Sequence, residues 1–238
     1  MHIQKIHSDS YLKEFVSFCK ERYNKNLIGL GIYGSYAWGY FDKKKSDYDV
    51  FLVFNQETKN ESNLITNKLE KISVQYFGTA KQLSELISEG HWSLYITLLK
   101  SAKMLYFSSE YKQFFNGLNN TNFVKNLKNT DRIKFKAEFD RDQIQKMEGY
   151  PAIKYAFPAL RSRLQLLTYA KYQKPIWDLD KAIKLNKDFL TNKEQSLLVQ
   201  LNNSVKERKN DYFDKNLAID MLDKINRETL SLLDKNKN

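Results

Sequence analysis

The stretch GSYAWGYFDKKKSDYDVFLV, residues 34–53, carries the residues that decide the fold and the chemistry of this 238-residue chain. An apolar run, residues 26–33, precedes it and predicts a strand. Its second half, from residue 47 to residue 54, is rich in β-branched and aromatic residues and predicts the clearest strand of the chain. Because side chains alternate across a strand, Asp47 and Asp49 are expected on one face, with their backbones about 7 Å apart.

Two carboxylates on one face can hold one or two divalent cations, and Mg²⁺ combines such ligands with water and substrate phosphates. Gly34 leaves room for a phosphate to approach the backbone, and Ser35 adds a hydroxyl beside the free N–H groups of a helix start. Together these parts predict a site for a nucleoside triphosphate and its metal, suited to attack on the α-phosphorus with pyrophosphate as the leaving group. Each part alone is common, so a plain turn at Gly34 and a solvated strand end at Asp47 and Asp49 are the alternatives.

Hydrophobic spacing predicts further elements in the first 110 residues. A helix is expected from Ser8 to Tyr23, capped by Ser8 or Ser10. A polar helix is expected from Glu57 to Lys71, with Leu64, Leu69 and Ile72 on its buried side. The remaining predictions are a strand over 72–77 closed by Gly78, a helix over 81–88, a helix from about His91 and an edge strand over 103–107.

Strand patterns stop after residue 107, and the rest of the chain shows helical spacing alone. The helical segments are expected at 130–147, 152–172, 193–205 and 217–233. The sequence therefore predicts an α+β protein with two domains. Residues 1–110 form a domain with a small mixed sheet, and residues 111–238 form an all-α helical bundle.

Charge is distributed unevenly between these two parts. The net charge is +11, from 39 Lys+Arg and 28 Asp+Glu. Residues 1–110 hold 14 basic and 12 acidic side chains, whereas residues 111–238 hold 25 and 16. A basic excess favours polyanions such as nucleic acid, nucleotides or acidic protein surfaces, and a solvated Lys-rich surface is the alternative.

Cysteine content and hydropathy limit the classes of protein. Cys19 is the only cysteine, which excludes an intrachain disulfide and a cysteine-rich metal site. The N-terminal residues lack the apolar segment of a signal peptide, and no apolar run approaches membrane-spanning length. We therefore expect a cytoplasmic protein without a membrane partner.

The run GSYAWG at residues 34–39, followed by SDYDV at residues 46–50, resembles the G-S-x-A-x-G…S-D-x-D signature of the DNA polymerase β-like nucleotidyltransferases. It is most similar to their minimal and antibiotic- or RNA-directed branches. The resemblance implies a nucleotidyltransferase domain at residues 1–110 and an enzyme that transfers a nucleoside monophosphate from a triphosphate, with ATP the expected one. The implied acceptor is RNA, a protein or a small molecule.

The resemblance also implies roles for individual residues. Gly34, Ser35 and Ser46 would bind the nucleotide. Asp47 and Asp49 would be the catalytic aspartates and would hold Mg²⁺ or Mn²⁺. The helical remainder is similar in kind to the all-α substrate domains of some family members. Its basic excess is the reason to expect an RNA or acidic acceptor at residues 111–238.

One departure from the family pattern concerns the next core strand, where the family usually has a third carboxylate and this chain has Gln75. An amide cannot act as a general base and binds metal more weakly. Two alternatives follow: a catalytically degenerate nucleotide- or nucleic-acid-binding protein, or an antitoxin-like interaction protein. A base from the helical domain is a further alternative, and its candidates, which are equally explained as helix-surface pairs, are Glu138, Asp140 and Asp142.

Two other groups of residues are candidates for binding. Lys154, Arg161 and Arg163 lie on or near one predicted helix and are candidates for phosphate contacts. The aromatic candidates for stacking on a base, for which a core position is the alternative, are Tyr33, Tyr36, Trp38 and Tyr40.

Overall fold

Two adjacent strands, β1 (Leu27–Ile32) and β2 (Tyr48–Phe54), form the centre of a four-stranded sheet. In this computed structural model the described residues are 9–37, 41–44, 46–89, 91, 102–120, 130–173, 176 and 178–235. The outer strands are β3 (Ile72–Thr79) beside β2 and β4 (Lys103–Phe107) beside β1. β1 is antiparallel to both of its neighbours, whereas β2 and β3 are parallel, so the predicted small mixed sheet with an edge strand at 103–107 is confirmed.

The helices of the first part of the chain are α1 (Ser10–Tyr23), α2 (Gly34–Ala37), α3 (Ser62–Lys68), α4 (Ala80–Ser88) and α5 (Ser109–Asn120). α1 buries Leu12, Phe15 and Cys19 in one core with side chains of β1 and β2, such as Leu30 and Val50. Burial raises the pKa of the Cys19 thiol to about 12. The amphipathic spacing that predicted α1 is therefore the spacing that packs it against the sheet.

The N-terminal cap of α1 differs from the prediction. The carboxylate of Asp9 accepts hydrogen bonds from the backbone N–H groups of Tyr11 and Leu12, at 3.1 and 3.3 Å. Its other oxygen accepts from the Tyr48 hydroxyl at 2.8 Å. The predicted cap, Ser8 or Ser10, is wrong because Asp9 both closes the helix and ties it to β2.

α3 is shorter than the predicted helix over 57–71. Glu61, immediately before it, accepts two hydrogen bonds of 2.6 Å from Arg22 and one of 3.0 Å from Tyr23, which fixes it to α1. This pairing holds the pKa of Glu61 at about 2, well below its usual value. At the C-terminal end of the predicted helix, the carbonyl of Lys71 accepts a hydrogen bond from the backbone N–H of Tyr48 in β2, so Lys71 lies beyond the helix. Leu64, expected on the buried side, is 44% exposed.

β3 continues past the glycine that was expected to close it. Thr79 ends the strand and caps α4, because its hydroxyl accepts from the backbone of Gln82 while the Gln82 side chain accepts from the backbone of Thr79. The reciprocal cap satisfies two backbone donors at the strand-to-helix junction, so no separate turn is needed at Gly78.

The chain divides into two compact units, residues 1–122 and 123–238. α5 belongs to the first unit, where the Tyr111 ring covers Gly29 of β1 so closely that a Cβ atom on Gly29 would lie 2.4 Å from it. The helix expected from about His91 falls largely on residues outside the described ranges. The division of roles between residues 1–110 and 111–238 remains a prediction.

In the second unit the described residues form helices and no strand, as predicted. These helices are α6 (Asp131–Lys146), α7 (Gly149–Tyr172), α8 (Leu179–Leu185), α9 (Asn192–Glu207) and α10 (Lys215–Lys235). α7 lies among the other four and contributes Leu160, Leu164 and Leu167 to their shared core. None of the described helices is long and apolar enough to cross a membrane.

Candidate active site

The end of β1 brings the backbone of Gly34 against Asp49 of β2. The backbone N–H of Tyr33 donates to the carbonyl of Asp49 at 2.9 Å. Gly34 then takes a left-handed conformation, with φ of +64°, and a Cβ atom placed on it would lie 2.4 Å from Asp49 Oδ2. Only glycine meets both conditions, because a side chain would strain the backbone and collide with the carboxylate.

The two aspartates lie at the start of β2. Asp47 precedes the strand by one residue and is exposed, whereas Asp49 lies in the strand and is half-buried. Tyr48, which lies between the two aspartates, and Val50, which follows Asp49, point into the core. The alternation predicted for this strand is therefore present, and it keeps Asp49 off the face that packs against α1.

Gln75 lies beside Asp49 across the parallel pair β2–β3. Its Nε2 donates to Asp49 Oδ1 at 3.3 Å and to the Ser73 hydroxyl at 2.7 Å. The register shifts at this point, since Val50 is opposite Val74 but Phe51 is opposite Tyr76. Gln75, at the position expected to correspond to the family's third carboxylate, therefore lies next to Asp49, and its side chain is an amide.

The loop before Asp47 is closed by Ser46. The backbone N–H of Ser46 donates to the carbonyl of Asp42 at 2.8 Å, and the Ser46 hydroxyl accepts from the backbone of Asp42 at 3.2 Å. Ser46 therefore shapes the turn that leads into β2. Ser35 lies in α2, a single turn of four residues, and is half-buried.

Tyr33 and Tyr36 both lie near these residues but have different surroundings. Tyr33 follows β1, and both its burial and the negative charge of Asp49 raise the pKa of its hydroxyl. Tyr36 packs against Phe41 and Tyr48, with ring centroids 5.3 and 5.6 Å away, so its position supports the core interpretation. Trp38 and Tyr40 lie outside the described residues.

Two of the three carboxylates proposed as a base from the helical unit, Asp140 and Asp142, are engaged in pairs, and the third, Glu138, is exposed. Asp140 is 2% exposed and accepts from the Tyr155 hydroxyl at 2.7 Å and from Lys136, while Arg163 lies 3.6 Å away. Asp142 pairs with Lys146 at 3.3 Å, one helical turn away, as expected of a helix-surface pair.

Arg163 is 1% exposed, and it donates to the carbonyl of Ile133 at 3.2 Å and to the Asn226 side chain at 3.3 Å. Its burial lowers the pKa of the guanidinium, an effect that Asp140 opposes. The prediction of a phosphate contact is therefore wrong for Arg163. Arg161 is also buried, with its guanidinium 5.8 Å from the Phe157 ring, whereas Lys154 is exposed.

Sequence reasoning missed Asp9 and Ser73. Asp9 makes its bond to Tyr48 across 39 positions of sequence, so local spacing contained no signal for it. Ser73 could have been found, because it lies two residues before Gln75 in a strand and must share its face.

Among the described residues no group of three or more His, Cys, Asp and Glu side chains is arranged to hold a metal ion. The two aspartates alone still suit Mg²⁺, which typically takes one or two carboxylates and completes its coordination with water and substrate phosphates. The glycine at position 34 lets the turn after β1 approach Asp49 Oδ2 closely, so the turn and the carboxylate belong to one site. The two carboxylates therefore fit a cation that is bound together with a triphosphate.

The mixed sheet, with its glycine turn facing an aspartate on the next strand, agrees with the fold that the resemblance to polymerase β-like nucleotidyltransferases implied. Residues 12–105 match the family model described as a nucleotidyltransferase domain, and this part of the chain is such a domain of the polymerase β-like kind. No curated protein matches the sequence.

The chain is similar in structure to spectinomycin adenyltransferase from Enterococcus faecialis, solved with ATP and spectinomycin. The TM-score is 0.50 at 15% sequence identity, over 92% of this chain and 98% of the other. At this identity the likeness concerns the fold, and it extends over the helical part as well as the nucleotidyltransferase domain.

Proposed function

We propose that this protein transfers a nucleoside monophosphate from a nucleoside triphosphate to an acceptor, in a reaction that requires Mg²⁺ or Mn²⁺. The observation that carries the proposal is the contact between Gly34 and Asp49. The left-handed conformation of Gly34 and its lack of a side chain let the turn lie directly against the carboxylate of Asp49, so a cation held by Asp49 would lie beside the turn that binds the phosphates.

Each residue of the candidate site has a role in this proposal. Asp47 and Asp49 hold the cation, Gly34 admits the phosphate, and Ser35 donates its hydroxyl to a phosphate oxygen. Ser46 contributes by fixing the turn before Asp47, and its hydroxyl proton is available to a phosphate. The bound cation supplies Lewis-acid stabilisation of the charge on the phosphates and on the departing pyrophosphate.

ATP is the triphosphate we favour. The structurally similar adenyltransferase was solved with ATP, and its name describes adenylate transfer. Its second ligand, spectinomycin, is not carried over, because the basic excess of residues 111–238 favours an anionic acceptor.

The acceptor we favour is anionic, either RNA or an acidic protein, bound by the helical part of the chain. Residues 111–238 hold 25 basic and 16 acidic side chains, an excess that residues 1–110 lack. Exposed Lys154 remains a candidate contact, whereas buried Arg163 does not. A cytoplasmic location, where ATP and RNA are available, remains a prediction.

A second candidate function is nucleotide or nucleic-acid binding without transfer, including an antitoxin-like interaction protein. Gln75 favours it, because the amide beside Asp49 cannot accept the proton of an attacking hydroxyl. Binding experiments do not separate the two candidates, because both bind nucleotide, whereas transfer of label from the α-phosphorus to an acceptor does.

Calorimetry of Mg²⁺–ATP with three variants tests the binding site. Asp47→Asn and Asp49→Asn should each reduce binding below detection, because each removes a charged oxygen ligand of the cation. Neither should change the free energy of unfolding much, so the fold stays intact. Glu70→Gln removes one charge from an exposed position of the same unit and should bind like wild type. Equal affinities in all four proteins would show that the site lies elsewhere.

A further inference from the structure

Gln75 lies at an irregularity in the pairing of β2 with β3. It is exposed, and it is the extra residue of the register shift in β3, because Val74 and Tyr76 are the residues opposite consecutive positions of β2. Bulges of this kind redirect a side chain, and here Gln75 shares the face of Ser73 and Asp49. Its Nε2 donates to both of them, at 2.7 and 3.3 Å.

The carboxylate of Asp49 is therefore held on two sides. Oδ1 accepts from Gln75, and Oδ2 lies against the backbone of Gly34, where a Cβ atom would be 2.4 Å from it. The Gln75 amide on one side and the Gly34 backbone on the other therefore fix the orientation of the carboxylate.

From this geometry we propose that Gln75 is a positioning residue that fixes Asp49 and limits the site to two carboxylates. The site then binds a free divalent cation weakly and takes its cation together with the triphosphate. This inference rests on the proposed function, since it concerns the same metal–triphosphate site.

The contrast between an amide and a carboxylate at this position supports the inference. A glutamate in the same place would put a negative oxygen about where Nε2 now lies, 3.3 Å from Asp49 Oδ1. Two carboxylates this close repel unless a cation or a proton lies between them. The Gln75 amide instead attracts Asp49, so Asp49 is ordered before any cation arrives.

The test measures free Mn²⁺ affinity without nucleotide, Mg²⁺–ATP affinity and the metal-free melting temperature in three variants. Gln75→Glu should bind free Mn²⁺ about tenfold or more tightly than wild type, because a third charge lies close to the ion. It should also melt at a lower temperature without metal and recover when Mn²⁺ is added. Gln75→Ala should leave free Mn²⁺ binding weak and reduce Mg²⁺–ATP affinity severalfold, since Asp49 is no longer held.

The control is Gln145→Glu, which adds the same charge at an exposed position of α6 and should change none of the three measurements. The inference is overturned if Gln75→Glu and Gln145→Glu bind Mn²⁺ equally, or if Gln75→Ala binds Mg²⁺–ATP like wild type. If Asp49→Asn keeps Mg²⁺–ATP binding, the proposed function itself fails. If Asp49→Asn loses binding while the Gln75 variants behave like wild type, only the inference about Gln75 fails.

Discussion

Gly34 has a backbone φ of +64°, and a Cβ atom on it would lie 2.4 Å from Asp49 Oδ2. Gly117, in α5, has a different environment, because a Cβ atom there would meet nothing within 4 Å. The two glycines therefore separate the intrinsic effect of a methyl group from its effect at the candidate site.

Gly34→Ala should destabilise the protein by about 1–3 kcal/mol, the usual cost of a non-glycine residue in a strained conformation. It should also weaken Mg²⁺–ATP binding, because the new methyl group displaces Asp49. Gly117→Ala should stabilise α5 by up to about 1 kcal/mol and leave binding unchanged, since alanine is the better helix former. Urea unfolding and calorimetry of both variants provide the measurement, and similar behaviour of the two would contradict the role given to Gly34.

At the scale of single elements, α7 carries one basic side chain that is buried and stabilises the fold and another that is exposed to solvent. Arg163 is buried between the carbonyl of Ile133 and the side chains of Asn226 and Asp140. Lys154 lies on the same helix and is exposed. Both were candidates for phosphate binding, and burial separates their roles.

Arg163→Ala should destabilise the second unit by about 2–5 kcal/mol, because it leaves a buried cavity and removes the donor to Ile133 and Asn226. Asp140 keeps its bonds from Lys136 and Tyr155 in this variant. Lys154→Ala should change stability by less than about 0.5 kcal/mol. Chemical unfolding followed by circular dichroism compares them. An Arg163→Ala protein as stable as Lys154→Ala would mean that the buried guanidinium does not stabilise the helical unit.

The sequence predicted the strands well because their apolar runs reflect the burial of those same residues. Its predictions of element ends were wrong where distant residues set them. α3 begins late because Glu61 is bound to Arg22 and Tyr23 of α1. The hydrogen bonds by which Asp9 caps α1 are local, but its bond from Tyr48, which distinguishes it from the neighbouring serines, is distant. Such contacts depend on tertiary packing and leave no periodic signal in the sequence.

The candidate site was predictable to a similar extent. Gly34 and Asp49 were identified because a glycine turn and an aspartate pair flank adjacent strands. The hydrogen bond from Gln75 to Asp49 was not, because it depends on the register between β2 and β3 and on the shift after Val50. Alternation along β3 gives the face of Gln75 but not its neighbour on β2.

For the whole molecule, the sequence separates the acids of the candidate site from most of the excess positive charge. Asp47 and Asp49 lie in the nucleotidyltransferase domain, whereas residues 111–238 carry the larger basic excess. A metal site requires acidic side chains, and attraction of an anionic acceptor requires basic ones. Placing the two kinds in different parts of the chain avoids the neutralisation of one by the other. This distribution is the reason we expect the acceptor to be anionic.

The central claim, transfer of a nucleoside monophosphate, is tested most directly by the fate of labelled phosphorus. The protein is incubated with Mg²⁺, cell extract and ATP labelled at either the α- or the γ-phosphorus, and with the α-labelled forms of the other triphosphates. We predict that α-label, but not γ-label, enters one fraction, with RNA or protein expected, and that Asp49→Asn or removal of Mg²⁺ prevents it. The claim would be contradicted if no triphosphate gave α-labelled product, or if Asp49→Asn labelled the extract as well as wild type does.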